Sequence, residues 1–343
     1  MRNISPSFSV VIPAYNAERF VGEAIESVLA QTLPSWELLV VNDCSTDRTL
    51  EVCQSYRDPR IRVFSTPQNL NAAGARNLAL EHAQGEFVAF LDSDDVAMPD
   101  RLGRQHKALL ADPELGFLGS QVRLINERVV NSNHHWIYPE EDGVFKATML
   151  FRCPFLMSTI ATRASLLQKM GGQVFDQYFA PSEDYHFAAK MMGLCKFHND
   201  TEPLVHYRLH TGQLIDAKAE LIGCQMQKVQ KLILGFLGIE ATAQDLETHR
   251  LCSSGPVSSW EQLCSTQRWL ERIYHANLAA ALIPDKGIRP ILGVTWFHLC
   301  KQYGSRNLRL YNKFKSSELS RFYLSRRNQL RFFIECLLNW KQF

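Results

Sequence analysis

The chain has 343 residues, 46% of them hydrophobic and 21% charged, with a formal net charge of +2. This composition is ordinary for a globular protein and excludes wholesale disorder. The nine cysteines include no Cys-x-x-Cys pair, so neither a disulfide framework nor a structural zinc site is predicted, and a reducing cytoplasm fits best. The N-terminus lacks the apolar run of a signal peptide, and no uncharged apolar stretch of about 18 residues predicts a membrane-spanning helix.

Short apolar strands alternate with helices along the first 92 residues. The predicted strands are 8–12, 36–41, 61–65 and 87–91, and the predicted helices are 17–31, 49–56 and 75–84. Strands that are apolar throughout are typical of a sheet buried on both faces. The alternation predicts an α/β fold with a doubly wound, mostly parallel sheet flanked by helices. Polar or acidic residues follow the first, second and fourth strands, so they should meet along the edge where such sheets bind nucleotides.

Beyond residue 98 the alternation becomes less regular. Further helices are predicted at 98–110, 164–170 and 185–192, and further strands at 117–125, 155–162, 194–198 and 203–209. Strand signals then fade, and the remaining predicted helices are 219–237, 259–282, 291–300 and 317–340. We therefore expect a first domain of residues 1–214 and a C-terminal helical extension of residues 215–343.

The fourth strand runs directly into an acidic turn, Asp92-Ser93-Asp94-Asp95. Carboxylates held this close repel one another unless a cation lies between them, and a hard divalent ion that bridges a phosphate is the usual partner. The alternative is a solvated acidic turn, with Asp95 or Asp100 as a helix N-cap. A dinucleotide oxidoreductase and a P-loop enzyme are disfavoured, because neither glycine-rich motif follows the first strand.

Four segments resemble, in order and spacing, the successive motifs of family 2 glycosyltransferases, which have the GT-A fold. They are FSVVIPAYN (8–16), VVNDCSTD (40–47), AAGARN (72–77) and FLDSDD (90–95). The resemblance is strongest over residues 8–102, is looser to about 212 and does not cover 215–343. It implies an inverting transfer of a hexose or N-acetylhexosamine from a UDP-sugar to an acceptor hydroxyl, with a nucleotide-sugar half (1–110) and an acceptor half (111–214). The acceptor hydroxyl is expected on a bacterial surface glycan, such as lipopolysaccharide or capsule, or on its lipid-linked precursor.

The resemblance also implies roles for the donor-site residues. Asp94, helped by Asp92 or Asp95 and by His210, would hold Mn²⁺ or Mg²⁺ on the diphosphate, where the cation stabilises the leaving group. Asp43 matches the position that hydrogen-bonds uracil, although Asn42 and Cys44 replace the acid and the glycine that relatives usually carry beside it. An Asx turn or helix cap is the alternative role for Asp43. The full set matched to the nucleotide-sugar site is Pro13, Tyr15, Asp43, Arg76, Asp92, Ser93 and Arg208.

The aromatic and guanidinium groups of that set suit a UDP-sugar, the ligand that the resemblance implies. Tyr15 would stack on the base, or alternatively be a buried loop tyrosine. A guanidinium fork matches phosphate or a uracil carbonyl, which suits Arg76 and Arg208, although Arg76 could instead lie on an exposed helix surface.

The acid pair Glu183-Asp184 matches the family motif that precedes a helix of the acceptor half. An inverting displacement needs one base that takes the proton of the acceptor hydroxyl. The resemblance implies that Asp184 is this base, with Glu183 as the runner-up or a positioning group. A helix N-terminus that simply favours acids is the alternative.

Residues 301–343 contain ten Lys or Arg and two Glu, a net charge of +8, interspersed with aromatic residues. A basic amphipathic helix of this kind is typical of an interfacial membrane anchor, and the alternative is a helical subdomain whose aromatic residues pack internally. We expect a cytoplasmic enzyme that contacts the anionic cytoplasmic face of the inner membrane peripherally. The expected partners are a UDP-sugar donor and a glycan or glycolipid acceptor. Nucleic acid is not expected, because no recognition motif accompanies the charge.

Two rival functions remain at this point. A sugar nucleotidyltransferase shares the α/β layout and the acids, but usually has a glycine-rich phosphate loop where this chain has residues 13–16. A catalytically silent nucleotide-sugar-binding module is disfavoured because Asp94, Arg76 and Asp184 occur together.

Overall fold

The computed structural model describes residues 5–126, 135–210, 219–303, 307–323 and 326–340. Its internal contacts divide the chain into two compact units, Met1–Glu140 with Pro154–Met226 and Glu141–Cys153 with Gln227–Phe343. The boundary expected near residue 215 lies outside the described residues. Within the described ranges, no helix combines the length and the apolar character that spanning a membrane would require.

The first unit is built around a nine-stranded sheet in the described part of the chain. Its strands are β1 (Phe8–Ala14), β2 (Trp36–Asn42), β3 (Ile61–Ser65), β4 (Phe87–Phe90), β5 (Val96–Ala97), β6 (Leu115–Asn126), β7 (His135–Trp136), β8 (Ala161–Arg163) and β9 (Lys196–Leu209). They are ordered β3-β2-β1-β4-β8-β6-β9-β5, with β7 paired to β6. Strands β3, β2, β1 and β4 are parallel, as are β6 and β9, whereas β8, β7 and β5 pair antiparallel to their neighbours. The expected mostly parallel sheet is confirmed.

Helices cover this sheet. They are α1 (Val21–Leu29), α2 (Thr49–Ser55), α3 (Asn71–His82), α4 (Arg101–Ala111), α6 (Ala164–Lys169) and α7 (Glu183–Met191). Helix α1 shows how the sequence dictates the packing, because Val21, Ala24, Ile25 and Val28 recur at helical spacing and are all buried. They join one hydrophobic cluster with the apolar side chains of β1, β2 and β4. Each large side chain buried in this way stabilises the fold by about 1.5–3 kcal/mol.

The second unit is helical, as expected. Its first helix, α5 (Asp142–Thr148), lies between β7 and β8 in the sequence, and α8 (Ala219–Phe236) leads from the first unit into the second. The others are α9 (Ala243–Ser253), α10 (Trp260–Ala280), α11 (Asp285–Gln302), α12 (Leu308–Ser316), α13 (Ser320–Tyr323) and α14 (Arg326–Trp340). Helices α5 and α11 pack so closely that a Cβ placed on Gly287 would lie 2.1 Å from the carbonyl carbon of Gly143.

The aromatic residues near the C-terminus pack inside this unit. The ring of Phe332 lies 5.4 Å from Phe297 and 5.2 Å from Phe314. The ring of Phe333 lies 4.8 Å from Tyr311. These described aromatic rings therefore contribute to a helical core, which was the alternative interpretation of the basic aromatic segment.

Candidate active site

The loops that follow β1 and β2 are joined at the carboxyl-end edge of the sheet. The amide of Asp43 donates to the carbonyl of Ala14 (2.8 Å), the amide of Asn16 donates to Ser45 Oγ (3.1 Å), and Thr46 donates to Asn16 Oδ1 (2.9 Å). Pro13 is buried within β1 beyond Val11, the last residue paired with β4, so its missing N–H is not needed on that side. These bonds fix the two loops against each other at this edge.

Asp43 is the most informative residue of these two loops. Its side chain is 2% exposed, and its Oδ1 accepts hydrogen bonds from the Thr66 hydroxyl (2.8 Å) and the Leu70 amide (2.8 Å). Its Oδ2 is buried and has no hydrogen-bond partner among the described residues. Because a buried acceptor without a donor is costly, this oxygen is suited to a donor supplied by a ligand. Tyr15, at the same edge, is 51% exposed and available for stacking.

The residue after Asp43 adopts a backbone conformation that favours glycine. Cys44 has a φ of +59°, in the left-handed region. A side chain there costs about 1–2 kcal/mol. This conformation explains why a glycine is typical at this place in the motif, and it identifies Cys44 as a local departure.

The acidic turn after β4 is anchored through Asp95. This side chain is fully buried, its Oδ2 accepts from the Ser158 hydroxyl (2.5 Å) and its Oδ1 accepts from the Arg208 amide (3.0 Å). The Ser158 oxygen also accepts from the amide of Asp92 (3.1 Å). Both carboxylate oxygens of Asp95 are therefore engaged by the protein, and the partly buried Asp92, Ser93 and Asp94 remain at the open side of the turn.

The end of β9 closes over the same turn. The Nε2 atom of His210 lies 3.0 Å from Asp94 Oδ2, and Arg208 donates from Nε to the Asp94 carbonyl (3.0 Å). The guanidinium of Arg208 also donates to Glu23 of α1 (2.6 Å) and is buried. The structure thus brings His210 to the predicted metal position, while Arg208 lies in the wall beside it.

Arg76 joins the acidic turn to the start of α7. Its Nη2 donates to Asp92 Oδ1 (2.7 Å) and its Nη1 donates to Glu183 Oε1 (3.0 Å). Next to Glu183, the Oδ1 of Asp184 accepts from the amide of Tyr185 (2.7 Å). The structure therefore brings the acid pair Glu183-Asp184 and the acidic turn together around the buried guanidinium of Arg76.

The site carries an excess of negative charge. Five carboxylates face three guanidinium groups, and one of these groups, that of Arg208, also pairs with Glu23 of α1, so acids outnumber cations in the site. The carboxylates are Asp92, Asp94, Asp95, Glu183 and Asp184, and the guanidinium groups are those of Arg76, Arg101 and Arg208. Burial and the neighbouring acids raise the pKa of Asp94, raise that of Asp95 still further, and raise the pKa of Asp184 to about 7.

Three supporting residues carry no sequence signal of their own. Ser158 orients Asp95, Thr66 orients Asp43, and Glu23 holds Arg208. Each lies far along the chain from its partner, outside the quoted motifs, so only the fold could identify them. Among the described residues, no group of three or more His, Cys, Asp or Glu side chains is arranged to hold a metal ion by itself.

Comparison with known proteins identifies the family of this chain. The model of the family "Glycosyl transferase family 2" matches residues 9–170. An uncharacterized glycosyltransferase of Haemophilus influenzae is 31% identical over 217 residues, covering 61% of this chain and 67% of the relative. The UDP-Glc:alpha-D-GlcNAc-diphosphoundecaprenol beta-1,3-glucosyltransferase WfgD of Escherichia coli is 34% identical over 178 residues, covering 52% and 66%. The putative teichuronic acid biosynthesis glycosyltransferase TuaG of Bacillus subtilis is 49% identical over 107 residues, covering 31% of this chain but only 42% of the relative.

A solved structure shares the fold over most of the chain. Residues 1–349 of TarS from S. aureus, in complex with UDP-GlcNAc, superpose with a TM-score of 0.56 at 21% identity, covering 87% of this chain and 89% of that one. The expected GT-A type fold with a helical C-terminal region is confirmed. The motifs, the family match and the Haemophilus relative together establish that the chain belongs to glycosyl transferase family 2.

Proposed function

We propose that the protein is an inverting glycosyltransferase that moves a hexose or N-acetylhexosamine from a UDP-sugar to an acceptor hydroxyl. The observation that carries the proposal is the buried Asp43 oxygen without a donor among the described residues, at the edge where a base would lie. The N3–H of uracil is a donor of the required kind. Exposed Tyr15 would stack on the ring, with Pro13 beneath it in the strand.

The residues around the acidic turn fit a divalent cation held together with the donor diphosphate. Magnesium is commonly bound by one or two carboxylates and substrate phosphates, so a complete protein cage is not required. We assign Asp94 and Asp92 as ligands with His210 beside them, and Asp95 as the group that orients the turn. The excess of carboxylates over guanidinium groups suits a divalent cation such as Mn²⁺ or Mg²⁺. When bound, this cation would stabilise the charge that forms on the departing diphosphate.

Asp184 is the proposed general base. A base works best with a pKa near the operating pH, and burial beside Glu183 raises the pKa of Asp184 to about 7. Its carboxylate would take the proton of the acceptor hydroxyl as that oxygen attacks the anomeric carbon and UDP leaves. Glu183, paired with Arg76, would hold the start of α7 in place.

The acceptor belongs to the same proposal. WfgD acts on a sugar linked to diphosphoundecaprenol, and TuaG is assigned to teichuronic acid biosynthesis. We propose a surface glycan or its lipid-linked precursor as the acceptor of this chain. An enzyme at the cytoplasmic face of the membrane would reach such an acceptor through peripheral contact.

The outer face of α14 supports a membrane contact within residues 301–343. Leu330 is 59% exposed, Ile334 one turn later is 46% exposed, and Leu337 continues the same stripe. Phe332 and Cys336 on the other side of the helix are buried. Exposed cations lie nearby in the sequence, namely Lys315, Arg321 and Arg331. An apolar stripe with exposed cations nearby in the sequence suits an anionic bilayer, where each cation contributes about 1 kcal/mol.

Cosedimentation with phosphatidylglycerol vesicles tests this contact. The double substitution Leu330→Glu with Ile334→Glu should abolish binding at low salt, whereas Leu278→Glu, at another exposed leucine of the second unit, should leave it unchanged. Equal sedimentation of the unchanged protein and both variants would show that α14 does not face lipid.

The transfer itself is tested by screening UDP-hexoses and UDP-N-acetylhexosamines for release of UDP with Mn²⁺, with Mg²⁺ and after chelation. We expect release that requires a cation and that falls by orders of magnitude in Asp184→Asn. A nucleotidyltransferase would instead form a sugar nucleotide from a sugar phosphate and a nucleoside triphosphate. A silent binding module would bind UDP without turnover.

A further inference from the structure

The side chain of Arg76 is committed to protein carboxylates rather than to a ligand. Both of its terminal nitrogens donate to acids of the chain, Nη2 to Asp92 and Nη1 to Glu183, at 2.7 and 3.0 Å. Its side chain is 4% exposed, and the centre of the Phe175 ring lies 5.5 Å from the guanidinium carbon. The remaining nitrogen, Nε, is also buried, with no partner in the described part of the chain. A phosphate group could reach this guanidinium only by breaking ion pairs in which the guanidinium itself is already desolvated.

The two acids that Arg76 joins come from distant parts of the chain. Asp92 lies 16 residues after Arg76, in the acidic turn, and Glu183 lies 107 residues after it, at the start of α7. Helix α3 has a second attachment to the same region, because Asn77 exchanges two hydrogen bonds with the backbone of Phe175 (2.7 and 3.0 Å). Arg76 therefore fixes the separation between the acidic turn and the start of α7.

We infer that Arg76 is a positioning residue that holds the leaving-group side of the site at a set distance from the proposed base, without contacting the donor diphosphate. The inference rests on the proposed function for what the two sides do, but the ion pairs themselves do not depend on it. In an in-line displacement the base and the leaving group lie on opposite sides of the reacting carbon. A misplacement of about 1 Å between reacting groups can cost roughly a hundredfold in rate. A planar fork can bridge two carboxylates in this way, and an ammonium group bridges them poorly.

A phosphate-binding role and a positioning role predict different double-mutant behaviour. Arg76→Gln leaves the buried Glu183 carboxylate without its cation, so unfolding should occur at a lower urea concentration. Adding Glu183→Gln removes the unpaired charge of Glu183. The urea concentration at the unfolding midpoint should then recover by at least half of the decrease that Arg76→Gln causes. Arg104→Gln is the matched control, since Arg104 also pairs with a carboxylate, that of Asp200, but is 40% exposed and should change the midpoint little.

Three measurements decide between the roles. For a positioning residue, Arg76→Gln binds UDP without metal within threefold of the unchanged protein, the double variant regains stability, and kcat falls about a hundredfold while the KM for the donor stays within threefold. UDP binding weakened thirtyfold or more, with no stability regained in the double variant, would overturn the inference. If Arg76→Gln does not fold, Arg76→Lys replaces it. The UDP affinity of that variant should likewise stay within threefold of that of the unchanged protein, and a weakening of thirtyfold or more would overturn the inference. If UDP does not bind the unchanged protein, the proposed function fails, and the urea comparison still decides whether Arg76 is a structural link.

Discussion

Replacing Asp43 with asparagine changes one atom of the proposed base site. The Oδ1 position would keep its hydrogen bonds from Thr66 and Leu70, while the buried oxygen without a donor would become an NH₂ group. A uracil N3–H would then meet a donor instead of an acceptor. Hydrogen bonds to charged groups contribute about 1.5–3 kcal/mol, so UDP should bind roughly 10- to 150-fold more weakly. The unfolding midpoint should change little, because the two intramolecular bonds survive.

Isothermal titration with UDP and CDP makes this prediction specific to the base. The N3 atom of cytosine is an acceptor, so Asp43→Asn should narrow or reverse the preference for UDP over CDP. The control is Asp47→Asn, in the same loop, whose oxygens accept from Thr49 and Glu18 within the protein. That control should leave UDP affinity unchanged. Unaltered UDP affinity and selectivity in a folded Asp43→Asn protein would refute the assignment of the base site to this edge.

Other expectations follow from the same structure. Because the pKa of Asp184 is raised to about 7 and a base acts as carboxylate, kcat/KM should rise tenfold per pH unit below about 7 and level off above it, as a pH–rate profile would show. Gly287→Ala should lower the free energy of unfolding by about 3 kcal/mol or more, because the new methyl group would collide with the backbone of Gly143. Gly235→Ala is the control, because no atom lies within 4 Å of its new methyl group. In urea denaturation it should leave the free energy of unfolding unchanged or raise it by up to about 1 kcal/mol. Cys44→Gly should raise the unfolding free energy by roughly 0.5–1 kcal/mol, since relief of the positive φ exceeds the added entropy of the unfolded chain.

The sequence predicted those parts of the fold that local patterns encode. Apolar runs ended by polar residues located β1, β2 and β4, and the right-handed alternation with helices placed their carboxyl ends at one edge. Strand β9 shows the limit of local patterns. The sequence predicted two strands, 194–198 and 203–209, but the structure continues one strand from Lys196 to Leu209 and places Pro203 between register shifts. A bulge tolerates the missing N–H there, which only the partner strand reveals.

The candidate site was predictable in its residue types but not in its connections. The resemblance to the family motifs selected Asp43, Asp94 and Asp184, because those motifs occur in the same order and spacing in this sequence. The partners of Arg76 could not be inferred, because one of its ion pairs joins it to Glu183, 107 residues away in the chain. Periodicity likewise could not decide which face of the C-terminal helices is covered, and the structure assigns Phe332 to the interior.

The close contact between Gly143 and Gly287 bears on how this protein can be divided. Residues 141–153 leave the sheet-containing unit between two of its strands and belong to the helical unit. Phe145 and Met149 in this segment are fully buried. A truncated chain that ends after the motif-bearing region would retain this segment without the helix it packs against, and would therefore expose apolar surface. The helical region therefore cannot be removed at a single point in the chain without leaving residues 141–153 behind. Chimeras between relatives should exchange residues 141–153 together with everything after 227, because the two segments fold as one body.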